Sequence, residues 1–152
     1  MTADTSAGSN DLVGWRRGVD RAFVYLVTLF FVGVLAQVFL AGVGAFGDHA
    51  LKVENASSFD PHRAIGNILG ALALVLLILA VLARASRPTW VGALVLAVLT
   101  GGAQSGLAAG GEDNKWVGGL HALDGIIILL LAGWLTGMAH RREAARRRAP
   151  AA

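Results

Sequence analysis

Four long stretches of this sequence carry almost no charge, and no other feature limits its fold as strongly. Residues 22–46, 64–83 and 88–111 contain no Asp, Glu, Lys or Arg, and residues 116–139 contain only Asp124. A helix needs about 20 apolar residues to cross a hydrocarbon core of about 30 Å, so each stretch is long enough to span a membrane. None of them alternates polar and apolar residues as the strands of a membrane β-barrel do. The sequence therefore predicts an all-α membrane protein with four transmembrane helices.

Composition argues against four buried helices in a soluble protein. Hydrophobic residues make up 55% of the 152 positions, charged residues only 15%, and the mean hydropathy is +0.62. Such a chain lacks the polar surface that a soluble domain needs. It has no cysteine, which excludes disulfides and iron–sulfur clusters, and the Ala, Gly and Arg bias suggests a bacterial genome.

The basic residues predict the orientation of the helices. Ten of the thirteen lie on one predicted side, before the first span, between the second and third, and after the fourth. Because Lys and Arg collect on the cytoplasmic side, both termini are expected there, in a bacterial plasma membrane. This distribution explains the high pI without nucleic acid. The predicted parts are a cytoplasmic segment at 1–21, spans at about 22–46, 62–83, 88–110 and 116–139, and a basic tail at 140–152.

The connections predict how the four spans are arranged. Asp60 and Pro61 are typical of the start of a helix, and the longest outer loop ends there. His49 in that loop is expected to be solvated or to contribute to an outer metal site. The links around residues 84–87 and 112–115 are very short. Short links favour an up-down-up-down four-helix bundle with both termini on the same side.

The two halves of the chain share a weak internal repeat. Gln37 and Gln104 both stand in the pattern Ala-Gln-x-x-Leu-Ala, and His62 and His121 are both followed by Gly at the fourth position. Each half therefore contains a span with Gln, an outer link and a span with His. Both halves would cross in the same direction, so the repeat would be parallel, about an axis along the membrane normal.

The two histidines are the first candidates for function, because polar side chains inside a membrane usually face the bundle interior. Counted from the basic ends of their spans, His62 and His121 lie within about 3 Å of one depth. Gly66 and Gly70 follow His62, and Gly125 follows His121, at helical spacing on the same face. Such faces could accommodate a flat macrocycle, with the imidazoles as axial ligands of haem iron. The alternative is that these glycines serve close helix packing.

Four other polar residues complete the candidate set. Arg63 is the only outer Arg and could pair with haem propionates, a lipid phosphate or Asp60. Asp124, three residues after His121, could orient an imidazole or relay a proton, or be a hydrogen-bonded packing residue with Gln104 as its partner. Gln37 and Gln104 are typical of interhelical hydrogen bonds.

These residues carry a family resemblance. His62-Arg63-x-x-Gly66 after a span with Gln37, Gly42 and Gly44, followed by Gln104 with Gly106 and by His121, resembles one half of haem A synthase over about 100 residues. The resemblance implies a four-helix module in which the histidines of the second and fourth helices ligate one haem. The chain departs from that family in having one module instead of two, Phe59 where the family has Glu, and no outer-loop cysteine pair. These departures argue against haem A synthesis. The chain also resembles small uncharacterised four-span membrane proteins of actinobacteria, which implies no activity.

The leading hypothesis is a single b-type haem held by His62 and His121 near the outer face. It would serve electron transfer, haem handling or redox sensing, and a quinone, another redox protein or a further membrane subunit would complete the electron route. Such a chain would not be a complete enzyme by itself. The alternatives are a cofactor-free interaction or assembly subunit and a small oligomeric, proton-coupled transport unit built on Asp124.

Overall fold

The computed structural model describes residues 5–47 and 58–148, and almost all of these residues are helical. The longest connection, including His49, lies outside the described residues. A segment with i→i+5 bonding, Val98–Ala103, joins two of the helices into one long span and is called the π segment here. The α-helices are α1 (Thr5–Gly47), α2 (Asp60–Leu82), α3 (Arg87–Ala97), α4 (Gln104–Asp113) and α5 (Lys115–Arg148).

Four helices in the described part of the chain are long and apolar enough to cross a membrane. They comprise α1, α2, the continuous span α3–π–α4, and α5. Large apolar side chains cover the outside of the bundle: Phe39 is 70% exposed, Phe46 85% and Leu130 68%. A helix that is hydrophobic on its outward face as well as its inward face belongs in a buried or lipid environment. The structure is therefore that of an integral membrane protein, as the uncharged stretches predict.

The helices form a bundle with two diagonals. Helix α1 packs against α2 and α5, and the α3–π–α4 span packs against the same two helices. Among the described residues, no backbone contact joins α2 to α5 or α1 to α3 and α4. Helices α2 and α5 consequently face each other across the bundle axis, which is where side chains from both can meet.

One end of the bundle carries most of the charge and is called the basic end. There Asp20 of α1 pairs with Arg146 of α5 at 2.5 Å, and Arg142 donates a hydrogen bond to Ser86, between α2 and α3. His140 donates from Nε2 to the Thr28 hydroxyl at 2.9 Å, because that hydroxyl already donates to the carbonyl of Val24. These bonds join α1, α5 and the α2–α3 link. The opposite end, which contains His62 and His121, is called the histidine end.

The apolar core lies towards the basic end. Its largest fully buried side chains come from all four spans, and α4, at the histidine end, buries no residue. The core is therefore confined to part of the bundle's length, and the rest of the interior is lined with small and polar side chains. These core side chains are Val27, Phe30, Leu76, Leu96 and Leu135.

The two short links use different turns. After α2 the chain turns through Arg84, whose φ is 48°, with the N–H of Arg84 bonded to the Val81 carbonyl and that of Ala85 bonded to the Ala80 carbonyl. This is the Schellman pattern, which usually has Gly at the left-handed position. At the histidine end Asn114 alone separates α4 from α5, and its Oδ1 caps α5 by accepting from the Trp116 N–H at 3.0 Å.

The tight turn at the histidine end depends on glycine. A Cβ added to Gly111 would lie 2.9 Å from the Cα of Gly118, a backbone atom that cannot move aside by rotation. Helices α4 and α5 therefore approach through bare backbone next to Asn114. By contrast, a Cβ at Gly102 would meet nothing within 4 Å.

Several helix bounds differ from the predicted spans. Helix α2 begins at Asp60, before the predicted residue 62, while α1 begins at Thr5 and α5 continues to Arg148. The sequence around residues 141–148 is rich in Ala and Arg, which favour helix, and Glu143 accepts from Arg147 four residues later at 2.9 Å. The helices thus continue past their apolar stretches because local propensity and ion pairs suffice there.

Candidate functional site

The structure brings the two predicted histidines together. His62 near the start of α2 and His121 in α5 have ring centroids 6.2 Å apart, with the ring planes at 68°. They meet across the diagonal of the bundle. The similar depth predicted from residue counts is consistent with this contact, since both helices begin at the histidine end.

Both imidazoles are held in the same way by a neighbouring helix. His62 Nδ1 lies 3.2 Å from the backbone oxygen of Gln37, and His121 Nδ1 lies 3.2 Å from that of Gln104. A carbonyl oxygen only accepts, so in both rings Nδ1 carries the hydrogen. In the neutral imidazole Nε2 is then the unprotonated nitrogen with a free lone pair. The site therefore presents two such nitrogens from opposite sides of the bundle.

The glutamine side chains occupy the space above two predicted glycines. A Cβ at Gly66 would lie 2.9 Å from Gln37 Nε2, and one at Gly125 would lie 3.4 Å from Gln104 Nε2. The Gln104 amide also donates to the backbone oxygen of His121 at 3.1 Å. It is thus an interhelical hydrogen-bonding residue, as its position predicts, but its partner is the His121 backbone and not Asp124.

The third predicted glycine contacts the π segment. A Cβ at Gly70 would lie 3.9 Å from the Cα of Gly101, so α2 and the π segment are close at this level. Below His62 the glycine face is therefore used for helix packing. A macrocycle between the histidines would have to extend towards the histidine end or part these helices.

Asp124 lies inside the bundle with one unpaired oxygen. Its side chain is 7% exposed, and its Oδ2 has no hydrogen-bond partner among the described residues. Thr100 in the π segment, 9% exposed, leaves Oγ1 unpaired in the same way, and so does the buried Oε1 of Gln37. Buried polar atoms are almost always paired in proteins, so three such atoms near one site require an explanation.

Arg63 has two acidic partners at the rim of the site. Its guanidinium lies 3.4 Å from a carboxylate oxygen of Asp60 and 3.7 Å from one of Glu112. Asp60 was among the predicted partners, whereas Glu112 comes from α4 and was not. These exposed pairs account for an Arg on this side of the bundle, and each contributes little stability.

Phe59 covers the site beside His62 at the start of α2. Its ring lies edge-on to His62 with centroids 6.2 Å apart, and a Cβ at Gly44 would come within 3 Å of the Phe59 ring. The hydroxyl of Ser58 donates to the Gly44 carbonyl at 3.0 Å. Gly44 thus allows the residues before α2 to pack on α1, which fixes where α2 starts and where His62 stands.

The chemistry available at this site is limited to a few groups. Among residues 5–47 and 58–148, no cluster of three or more His, Cys, Asp or Glu is arranged to hold a metal ion. A bare metal ion bound by protein side chains alone is thus unsupported there. Haem brings four nitrogen ligands of its own, so two imidazoles would suffice for that group.

Sequence reasoning missed Thr100, the π segment and the role of Phe59. Thr is common in spans, and nothing in its spacing separates Thr100 from other hydroxyl residues. Gly101-Gly102 is a weak signal for irregular helix, since a π segment needs backbone freedom that single sequences do not reveal. In the sequence, Phe59 is notable only as a departure from the haem A synthase pattern.

Comparison with known proteins supplies one match. A family of unknown function (DUF6220) matches residues 37–110, from the last part of α1 into α4. That range includes Gln37, His62 and Gln104 and excludes His121 and Asp124. No curated protein and no solved structure matches the chain.

Proposed function

We propose that this membrane protein binds one b-type haem between His62 and His121 and serves electron transfer, haem handling or redox sensing. The four spans would run up-down-up-down in a bacterial plasma membrane, with both termini in the cytoplasm and the haem near the outer face. The positive-inside distribution of Arg supports this orientation. The matching Gln–His contacts in the two halves support a parallel internal repeat.

The matching Nδ1–carbonyl contacts of His62 and His121 are the observation that carries this proposal. Ligating histidines characteristically donate Nδ1–H to a backbone carbonyl or carboxylate, which fixes the ring and leaves Nε2 for the metal. Both histidines have this arrangement here, each through the carbonyl of a Gln on an adjacent span. A single histidine with only a packing role could make such a bond by chance. The same bond in two histidines that face each other favours a ligand shared by both.

The ring separation is compatible with both imidazoles holding one haem iron. At usual metal–imidazole distances the two nitrogens would stand about 4 Å apart and the ring centroids about 6 Å apart. The centroids stand 6.2 Å apart. Haem ligation would therefore require the rings to reorient and room for the macrocycle. It would not require α2 and α5 to move closer together.

Each residue of the site would have a defined role. The carbonyls of Gln37 and Gln104 would hold the Nδ1 protons, orient the rings and raise the basicity of Nε2. Arg63, beside Asp60 and Glu112, would supply the positive charge for propionates at the rim, while Gly66, Gly70 and Gly125 would leave room along the helices. Bound haem would supply one-electron redox chemistry.

A cofactor-free interaction subunit is the second candidate, and one observation favours it. Gly70 faces Gly101, while Gly66 and Gly125 face glutamine amides, so every predicted glycine already has a packing role. Under this alternative, the His–Gln contacts would serve only to fix the bundle. Transport through Asp124 is less favoured because four spans would need to oligomerise to form a pathway.

The resemblance to half of haem A synthase supports haem binding and not haem A synthesis. The DUF6220 match neither supports nor opposes it, because that family has no known function. The electron donor and acceptor would be a quinone, a second redox protein or another membrane subunit. A single haem near one face cannot carry electrons across the bilayer alone.

Absorption spectra test the proposal directly. The protein would be produced with ample haem, purified in detergent and recorded oxidised and reduced, beside His62→Ala, His121→Ala and the matched control His140→Ala. We expect a low-spin haem spectrum in the wild type and the control, and its loss in either site variant. A colourless wild-type protein, or an unchanged spectrum in both site variants, would refute haem binding by this pair.

A further inference from the structure

Three buried side-chain oxygens next to the histidines have no hydrogen-bond partner among the described residues: Asp124 Oδ2, Thr100 Oγ1 and Gln37 Oε1. Two of these groups, the amide oxygen and an ionised carboxylate, can only accept, and the hydroxyl has a single hydrogen to give. The described side chains do not satisfy this set.

Asp124 and Thr100 lie in one layer of the bundle. The contact between Gln104 and His121 sets the register of the α3–π–α4 span against α5. Thr100 is four residues before Gln104 and Asp124 three residues after His121, so both lie about one turn closer to the basic end. The π segment and α5 pack against each other.

The unpaired hydroxyl of Thr100 is unusual among the described threonine side chains. Thr in a helix commonly donates to the carbonyl four residues before it. Thr28 does so, donating to Val24 at 2.8 Å, and Thr136 donates instead to Val27 of α1 at 3.2 Å. The i→i+5 bonding of the π segment changes the carbonyl positions beside Thr100, which leaves its hydroxyl free for another partner.

Asp124 differs from the other described carboxyl groups in the same respect. Asp20, Asp60, Glu112 and Glu143 all pair with Arg, and Asp113 is exposed. Asp124 is buried, and no described Lys or Arg pairs with it. An ionised carboxylate without a paired charge is very costly in such a place, and a neutral acid is much less so.

We propose that Asp124 and Thr100 form a proton-binding site inside the bundle, in which Asp124 carries a proton at neutral pH and shares it with an ordered water molecule. The acid hydrogen and the two water hydrogens supply the donors that the buried oxygens lack. Protonated Asp124 is also neutral, which removes the cost of a buried charge. The site does not depend on haem, so it stands or falls separately from the proposed function.

Few other titratable groups act on this site. His121 stands three residues before Asp124 on the same helix, and the ring of His62 on α2 lies beside the His121 ring. The packed elements add none nearby: α1 has no titratable side chain after Tyr25, and the π segment has none. Arg87 stands at the start of α3, and Glu112 and Asp113 at the end of α4.

Infrared spectroscopy provides the test, because a protonated carboxylic acid has a C=O stretching band separate from the amide bands. Wild-type protein, without haem and with it, would be compared with Asp124→Asn and with Asp113→Asn, an exposed matched control. At neutral pH we expect the band in the wild type and the control, a downshift in D₂O, and its loss in Asp124→Asn. In Thr100→Val the band should move, because the acid loses a neighbour.

The outcomes separate the two proposals. A wild-type spectrum without the band, or a band that survives in Asp124→Asn, overturns the proton site whether or not the protein is coloured. If the protein is colourless but shows the band, the proton site is supported and the haem proposal is refuted. If Asp124→Asn does not fold, the Thr100→Val shift and the D₂O shift in the wild type decide: a band that neither change moves overturns the site.

Discussion

The two ends of this bundle are built on different principles, although the same four spans form both. Towards the basic end, the interior is filled by large apolar side chains, among them Phe30, Leu76 and Leu135, which are almost completely buried. At the histidine end α4 buries no residue, and bare glycine backbone, Gln amides and imidazoles make the contacts. We infer that packing at the basic end holds the bundle together, which allows the histidine end to keep polar, incompletely bonded groups.

The largest effect on stability should come from removing a core side chain towards the basic end. Leu76→Ala removes a side chain with no exposed surface, and the cavity should lower the free energy of unfolding by roughly 2–4 kcal/mol. The measurement is reversible unfolding in mixed detergent micelles. Leu107→Ala, a half-buried position in α4, is the control and should cost less than about 1 kcal/mol. Equal losses in the two variants would contradict the division between the ends.

Close backbone contact at the histidine end should give the next largest effect. Gly111→Ala would force α4 and α5 apart, because its Cβ would meet the Gly118 backbone, and we expect a loss of about 1–3 kcal/mol. Gly102→Ala adds the same methyl group on the same span where no atom lies within 4 Å, and should be neutral. The same unfolding assay compares them. Neutral behaviour of Gly111→Ala would show that this end tolerates separation of its helices.

The link at the basic end should be improvable. Arg84 has a left-handed backbone conformation that favours Gly, so Arg84→Gly should raise the free energy of unfolding by about 1 kcal/mol. Arg84→Ala removes the same charge without the conformational gain and serves as the control. If the two variants are equally stable, the positive φ at residue 84 does not lower the stability of the protein.

The smallest effect should come from a polar contact at the histidine end. Gln104→Leu removes the amide bond to the His121 backbone, and interhelical hydrogen bonds in membranes average about 0.6 kcal/mol. Unfolding should therefore change little, and the haem spectrum should be kept, because the Gln104 carbonyl that holds His121 Nδ1 belongs to the backbone and remains in the variant. A large loss of stability would mean that polar contacts at the histidine end contribute substantially to the free energy of unfolding, contrary to the division between the two ends.

The sequence predicted the four spans and the approach of the two histidines well. The spans follow from uncharged length alone, and the approach follows from matching residue counts with short links. The helix ends were less predictable, since α1 and α5 extend into polar sequence where propensity and ion pairs decide. The partners of Gly66, Gly125 and Arg63 depend on how each helix is rotated about its axis, which no single-sequence pattern specifies. The haem itself, the membrane orientation and the repeat stay predictions.

The π segment has a consequence for measuring position along the third span. Sixteen residues separate Gln37 from Arg21, but seventeen separate Gln104 from Arg87. A turn closed by an i→i+5 bond uses one residue more than an α-helical turn without a matching gain in length. The additional residue in the third span therefore adds little length along the helix axis. Gln37 and Gln104 can consequently lie at the same height although their distances in sequence from Arg21 and Arg87 differ. An alignment of the first span with the third should therefore place a one-residue gap in the first span, opposite residues 98–103.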